Sequence, residues 1–323
     1  MKCLLLGLLY VTLPVAVSAQ PLDSLAHLQR MNSAIQSLNY HGTVVYLHDG
    51  RMESLRLIHS NDGQREYERV VHLTGVAREV VRENDTVRCF FPDSQLVLTG
   101  QRQHANRLIA KIEPLRADFE QHYLMKVDDG LERVAGRDAR VLRIQPKDGF
   151  RYGYRLWIDE QTGLLLRSEL LGVHGNVLEQ FMFAQLDIVD QIPAKMLVPS
   201  SVAMQKSSWR DERKPVATTA PIDNRWQITT MPAGFYLMGH YNKQLPHRDQ
   251  RAEHLVVGDG LASVSVYIEA YKDKEQTVEG ASKMGAVNMF GSLVGNHQLT
   301  VVGEVPAATI RMIADSVRYH SEH

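Results

Sequence analysis

The chain has 323 residues, 44% of them hydrophobic and 23% charged, with a formal net charge of −1. That length suits two domains, and that composition suits a folded protein. The near-neutral balance lacks the basic footprint of a nucleic-acid binder, so no nucleic acid is expected as a partner.

Residues 1–19 read as a secretory signal peptide. Lys2 starts it, the apolar run LLLGLLYVTLPVAV is interrupted by Pro14, and Val17-Ser18-Ala19 sets small residues before a mature start at Gln20. The run falls short of the roughly 20 residues a membrane helix needs. Cys3 lies too early in it to carry a lipid, so the expected product is an exported, free, soluble protein. Cys89, in VRCFF, is then the only cysteine left. Core packing, not a disulfide framework, must stabilise the fold.

Leu22, Leu25, Leu28, Met31, Ile35 and Leu38 recur at helical spacing, which predicts an amphipathic helix over 22–38. From Gly42 the period changes to two. GTVVYLH, ESLRLIH, EYERVVHL, AREVVRE and TVRCFF are parted by His48-Asp49-Gly50, Asn61-Asp62-Gly63 and Asn84-Asp85, the chemistry of hairpin turns. A polar insert at 103–122 contains Pro114. Strands resume at Tyr123, turn at Asp128-Asp129-Gly130 and continue through ARVLRIQ.

KDGFRYGYRLWIDEQTGLLLRSELLGVHGNVLEQFMF, residues 147–183, reads as three strands. Tyr152, Tyr154, Leu156 and Ile158 share one face; Arg151, Gly153, Arg155 and Asp159 share the other, with Trp157 as the exception. Stacked hairpins make an antiparallel meander with one dry face, and the helix stripe can cover that face. Residues 190–224 read as a linker, punctuated by prolines and carrying the solvated charge run Arg210-Asp211-Glu212-Arg213-Lys214. Residues 225–323 read as a second, small unit. It has a hairpin turning at Gly258-Asp259-Gly260, further strands, and a last helix opened by Pro306 with Ile310, Ile313, Ala314 and Val317 on one side.

The chain has no Gly-x-Ser-x-Gly elbow, Ser-x-x-Lys pair, His-Glu-x-x-His, Cys-x-x-Cys or phosphate-cradling glycine loop. Its 14 histidines fall at no ligand spacing; His240, His247 and His254 recur every seven residues on segments where that spacing makes no common face. The expectation is a non-enzyme with no metal and no cofactor, although paired carboxylates brought together in space leave a hydrolase open. Val44, Tyr46, Tyr152, Tyr154, Leu156, Phe181 and Phe183 are either ordinary core or the lining of a groove for an acyl chain.

Seven blocks in order resemble the MucB/RseB family of periplasmic regulators: SLNYHGTVVY (37–46), HLTGVAREVV (72–81), KDGFRYGYRLWID (147–159), TGLLLRSELL (162–171), GNVLEQFMF (175–183), GDGLASVSVYIE (258–269) and VVGEVP (301–306). The resemblance implies an α+β fold of two domains. The first, 20–189, would be an open antiparallel half-barrel with helices, similar to LolA/LolB-type lipoprotein carriers; the second, 225–323, would be a small α+β domain. It implies a partner, the periplasmic domain of a membrane-anchored anti-sigma factor. The regulator would shield that partner from the protease of the envelope stress response, and lipid or lipopolysaccharide would compete with it. The runner-up is a periplasmic lipid or lipoprotein carrier using the same groove. Arg248, Arg251, Gly258 and Tyr267 are the candidates for meeting acidic partner segments or lipid phosphate. A homo-oligomer is left open.

Overall fold

In a computed structural model of the chain, residues 20–101, 118–199, 210–213, 225–244, 251–270 and 278–320 are described. The segment expected to be a signal peptide (1–19), most of the 103–122 insert and most of the expected linker (190–224) lie outside the described residues.

Helix α1 (Gln20–Ser37) leads into β1 (Asn39–His48), β2 (Arg51–Asn61), β3 (Glu66–His72), β4 (Glu79–Glu83), β5 (Thr86–Phe91) and β6 (Leu96–Gln101). A short helix α2 (Phe119–His122) precedes β7 (Tyr123–Val134), β8 (Arg137–Pro146), β9 (Gly153–Asp159), β10 (Leu165–Leu171) and β11 (Val177–Val189). Helix α3 (Ala194–Leu197) and β12 (Arg210–Arg213) follow. These twelve strands form one sheet in the order β12-β6-β5-β4-β3-β2-β1-β11-β10-β9-β8-β7. The β1–β11 pairing joins two meanders, and every described pairing is antiparallel except β12 on β6. Helix α1 lies in the concave face and touches β2, β7 and β10, so the sheet curls around it as an open half-barrel.

The local chemistry explains the hairpins. Asp49 and Gly50 both take positive φ, 48° and 70°, in the β1–β2 turn, the backbone a two-residue hairpin with right-handed strand twist requires. Ala135 and Gly136, at 49° and 77°, do the same between β7 and β8. Sequence reading misplaces that turn at Asp128-Asp129-Gly130. Those residues instead form a bulge inside β7, where the register against β8 shifts between Val127 and Leu131. Arg143 holds Asp128 there with bonds of 2.7 and 2.9 Å. The segment read as a linker with room for a strand does carry one: the backbone of 210–213 pairs with the edge of β6.

Leu28, Met31, Ala34 and Ile35 of α1 interlock with Val44, Leu57, Ile144, Leu156, Ile158, Phe181 and Phe183 of the sheet. Burying each large side chain of that set is worth roughly 1.5–3 kcal/mol. The convex face is not uniformly wet. Trp157, on the face opposite Leu156, packs with Val134, Val141 and Leu166 in a second cluster. Its indole N–H donates to Glu132 at 2.7 Å, and the Arg167 guanidinium lies 4.1 Å from its ring centre. Arginine stems and a satisfied N–H let a large ring sit on the polar face.

The second sheet contains β14 (Tyr236–Gln244), β15 (Arg251–Gly258), β16 (Ser263–Ala270), β17 (Gly280–Met284), β18 (Val287–Val294) and β19 (His297–Gly303), ordered β14-β15-β16-β19-β18-β17. Helix α4 (Ala307–Ala314) covers one face with Ile310 and Ile313, against Leu255, Val257, Val266 and Val301. Val317 shares this core but belongs to β20 (Val317–Tyr319), which pairs with β13 (Trp226–Ile228). The architecture is therefore the expected pair of domains, a half-barrel and a smaller α+β unit.

Candidate functional site

The two sheets meet in a seam built largely from polar anchors. Arg151, just before β9, is fully buried. Its Nη1 donates to Asp259 Oδ2 at 3.0 Å and its other terminal nitrogen donates to the carbonyl of Ala233. The guanidinium lies 5.4 Å from the Tyr123 ring centre and 5.1 Å from that of Phe235. Asp259 occupies the turn between β15 and β16 and is saturated by donors. Its Oδ2 also accepts the Tyr123 hydroxyl at 2.8 Å, while Oδ1 accepts the backbone N–H groups of Leu261 and Ala262 at 3.0 and 2.8 Å. A carboxylate taken out of water needs such a donor shell. Burial, and then the Asp259 carboxylate, push the Tyr123 hydroxyl far above its ordinary range, so it stays a neutral donor.

Three more contacts cross the seam. Asn288 Nδ2 donates to the Tyr152 hydroxyl oxygen at 3.0 Å, and Thr309 Oγ1 donates to the Phe150 carbonyl at 2.6 Å. Ala286, at the tip of the β17–β18 hairpin, is buried against Tyr152 and Leu170. Nearby, the Tyr46 hydroxyl donates to Glu179 at 2.6 Å. Glu304 stands at the rim with an exposed residue surface; loss of water around its carboxyl group, and then the facing Glu179 carboxylate, raise its pKa to about 7.

The sequence-derived lining residues fall in two places. Val44, Leu156, Phe181 and Phe183 are closed into the half-barrel core, with the rings of Phe181 and Phe183 edge to face at 5.3 Å. Tyr46 and Tyr154 pack against that core half-buried, and Tyr152 turns toward the seam. The set makes a packed interior, because α1 and the aromatic rings fill the concavity. Of the second group, Arg248 lies outside the described residues, and of Arg251 only the backbone, at the start of β15, is described. Gly258 ends β15 at the seam, where an added Cβ would collide with the Ala262 carbonyl. Tyr267 is elsewhere, on the opposite face of β16, stacked on His254 at 4.3 Å.

Sequence reasoning missed Arg151 and Asp259, taking one as a polar-face residue and the other as a turn former. The available signal was a charge inside an aromatic run, FRYGY, and an Asp with an apolar sequel, GDGLAS.

A separate cavity of about 430 Å³ lies on the outer face of β3–β6 under α3. Tyr67, Phe90, Val97, Leu197 and Val198 make it mainly apolar, with Arg88 and Glu83 at its wall. The Tyr67 hydroxyl donates to the Leu197 carbonyl, and burial pushes its pKa up to about 12. Arg69 holds the same segment through the Met196 carbonyl at 2.9 Å. Among the described residues, no three His, Cys, Asp or Glu side chains are grouped to hold a metal ion. No described helix is long and apolar enough to cross a membrane.

A half-barrel docked on a smaller sheet through buried anchors, with an apolar cavity beside it, defines a two-domain binding scaffold. Residues 23–201 match the MucB/RseB N-terminal domain, and residues 220–318 match the MucB/RseB C-terminal domain. The chain is 31% identical over 330 residues to the sigma factor AlgU regulatory protein MucB of Pseudomonas aeruginosa, covering 98% of each. It is 27% identical over 309 residues to the sigma-E factor regulatory protein RseB of Haemophilus influenzae, covering 94% of this chain and 93% of that one. A chain of the solved Pseudomonas aeruginosa MucA/MucB complex superposes with a TM-score of 0.71 at 28% identity, over 93% of this chain and all of that one. The chain belongs to the MucB/RseB family.

Proposed function

We propose that the protein is a periplasmic regulator of an envelope-stress sigma factor. It binds the periplasmic segment of a membrane-anchored anti-sigma factor, shields that segment from the protease that starts its destruction, and yields it when lipid or lipopolysaccharide competes. The observation that carries this reading is relationship from end to end, both domains included, to a sigma factor regulatory protein. A likeness over most of the chain to MucB solved with MucA supports the same kind of partner. The logic is linkage: lipid frees the partner only through its differential affinity for the free and the occupied regulator. In this reading 20–189 and 225–323 are the working domains, 190–224 joins them, and Arg248 and Arg251 meet acidic or phosphate groups. The test incubates the anti-sigma segment with its protease, with and without this protein. The expected result is slowed cleavage, restored by added lipopolysaccharide and weakened by Arg248→Glu/Arg251→Glu. Unslowed cleavage contradicts the reading.

One observation favours a second reading, a lipid carrier: the apolar cavity of about 430 Å³ under α3 has room for part of an acyl chain. Movement of a fluorescent phospholipid from donor to acceptor vesicles at a rate set by protein concentration would select the carrier.

A further inference from the structure

The turn between β15 and β16 does more than reverse the chain. Leu261, at its tip, leaves its own domain and packs against the half-barrel core that also contains Phe119 and Tyr123. Asp259, two residues earlier, is held by Arg151 and Tyr123 of the first domain and folds the turn through the Leu261 and Ala262 N–H groups. Gly260, at φ 96°, and Gly258, whose missing Cβ admits the Ala262 carbonyl, allow the tight shape. One carboxylate therefore organises the turn and also fastens it to the other domain.

We propose that the turn Asp259–Ala262 is a plug: Arg151 latches it into the mouth of the half-barrel, and its withdrawal is the step that uncovers the half-barrel interior. Two features make the contact suited to switching. Its anchor is a buried charge pair, which is costly to leave half-made. Its apolar part is a single side chain, so the energy of the closed state is concentrated in a few groups. The seam contacts Asn288–Tyr152 and Thr309–Phe150 lie to the side and keep the domains tethered while the plug moves. The proposal deepens the regulator reading by naming what gates its interior, and its test uses neither the anti-sigma segment nor a lipid.

The experiment compares the full mature chain with Asp259→Asn and Tyr123→Phe, using hydrogen exchange and an anilinonaphthalene sulfonate dye. Asp259→Asn keeps the shape and an oxygen for the turn but presents an amide N–H₂ to Arg151, donor against donor. The expected result is exchange faster by about tenfold or more at 123–127 and 259–262. The dye should brighten, while β18, β19 and α4 stay protected. Tyr123→Phe, the gentler change, should give the same pattern at smaller amplitude, and it decides the question if Asp259→Asn unfolds throughout. Unchanged exchange at 123–127 in a folded Asp259→Asn, or in Tyr123→Phe where that variant decides, overturns the plug. So does an unchanged dye signal. If the plug opens as expected but the anti-sigma segment is never bound, the gate stands and the regulator reading falls.

Discussion

Replacing Arg151 by Met keeps the side-chain stem and removes the charge. Asp259, 5% exposed, is then left with Tyr123 and two backbone N–H groups. Breaking a buried ion pair from one side typically costs about 3–5 kcal/mol. The surviving donors put this case at the lower end, about 3 kcal/mol, because each hydrogen bond to a charge retains about 1.5–3 kcal/mol. For a unit of this size that is a fall in Tm of roughly 6–12 °C. The stronger test is a cycle of Arg151→Met, Asp259→Asn and the double variant, followed by urea unfolding with a probe in each domain. Once both charges are gone, neither Arg151 nor Asp259 leaves the other as a buried unpaired charge. The losses at Asp148 and the Ala233 carbonyl are common to Arg151→Met alone and the double variant, so they cancel in the cycle. The double variant should therefore be more stable than the sum of the singles requires, by about 2 kcal/mol. Additivity within about 0.5 kcal/mol would refute the inference that these two groups form one anchor.

Other substitutions probe the remaining parts of the structure. Phe183→Ala, at the centre of the half-barrel core, should cost about 3–5 kcal/mol in urea unfolding, since the packed interior cannot collapse onto the gap; a cost under about 1 kcal/mol would mean the interior is open. Gly258→Ala should destabilise by about 1–3 kcal/mol through the clash with Ala262, read as a lowered Tm with the seam exchanging faster. Glu304 has its pKa raised from 4.5 to about 7, so the docked state is favoured while the group is protonated. Docking should therefore be tightest below about pH 4.5 and weaken as pH rises through 7 and the carboxylate faces Glu179, by about 1 kcal/mol after screening at the exposed rim. Seam exchange at pH 5 and pH 8 should differ in the native chain and not in Glu304→Gln; equal slopes in both would remove Glu304 from the interface.

The half-barrel was legible because its signals are local. Asx-Gly turns and period-two strands lie within a few residues, and α1 shows its stripe in one segment. The bulge at Asp128 mimicked a turn because Asp-Asp-Gly serves either purpose, and only the partner strand with Arg143 decides. The strand at 236–244 was passed over because YLMGHYNKQ, broken by Gly239 at a register shift, does not alternate cleanly. The seam was illegible for a different reason. Arg151 and Asp259 are 108 positions apart, and each has an ordinary local explanation until the two domains are brought together. Tyr152, read as a lining residue, packs with Leu170 and Tyr154 of its own domain, and its hydroxyl meets Asn288 of the other, a contact no local pattern signals.

The regulator reading is tested most directly by titrating the purified protein with the periplasmic segment of an anti-sigma factor in a calorimeter, at physiological salt. A saturable heat with fixed stoichiometry, reduced by prior addition of lipopolysaccharide, is the expected result. No binding heat at any temperature tried, with both domains shown to be folded, would contradict it.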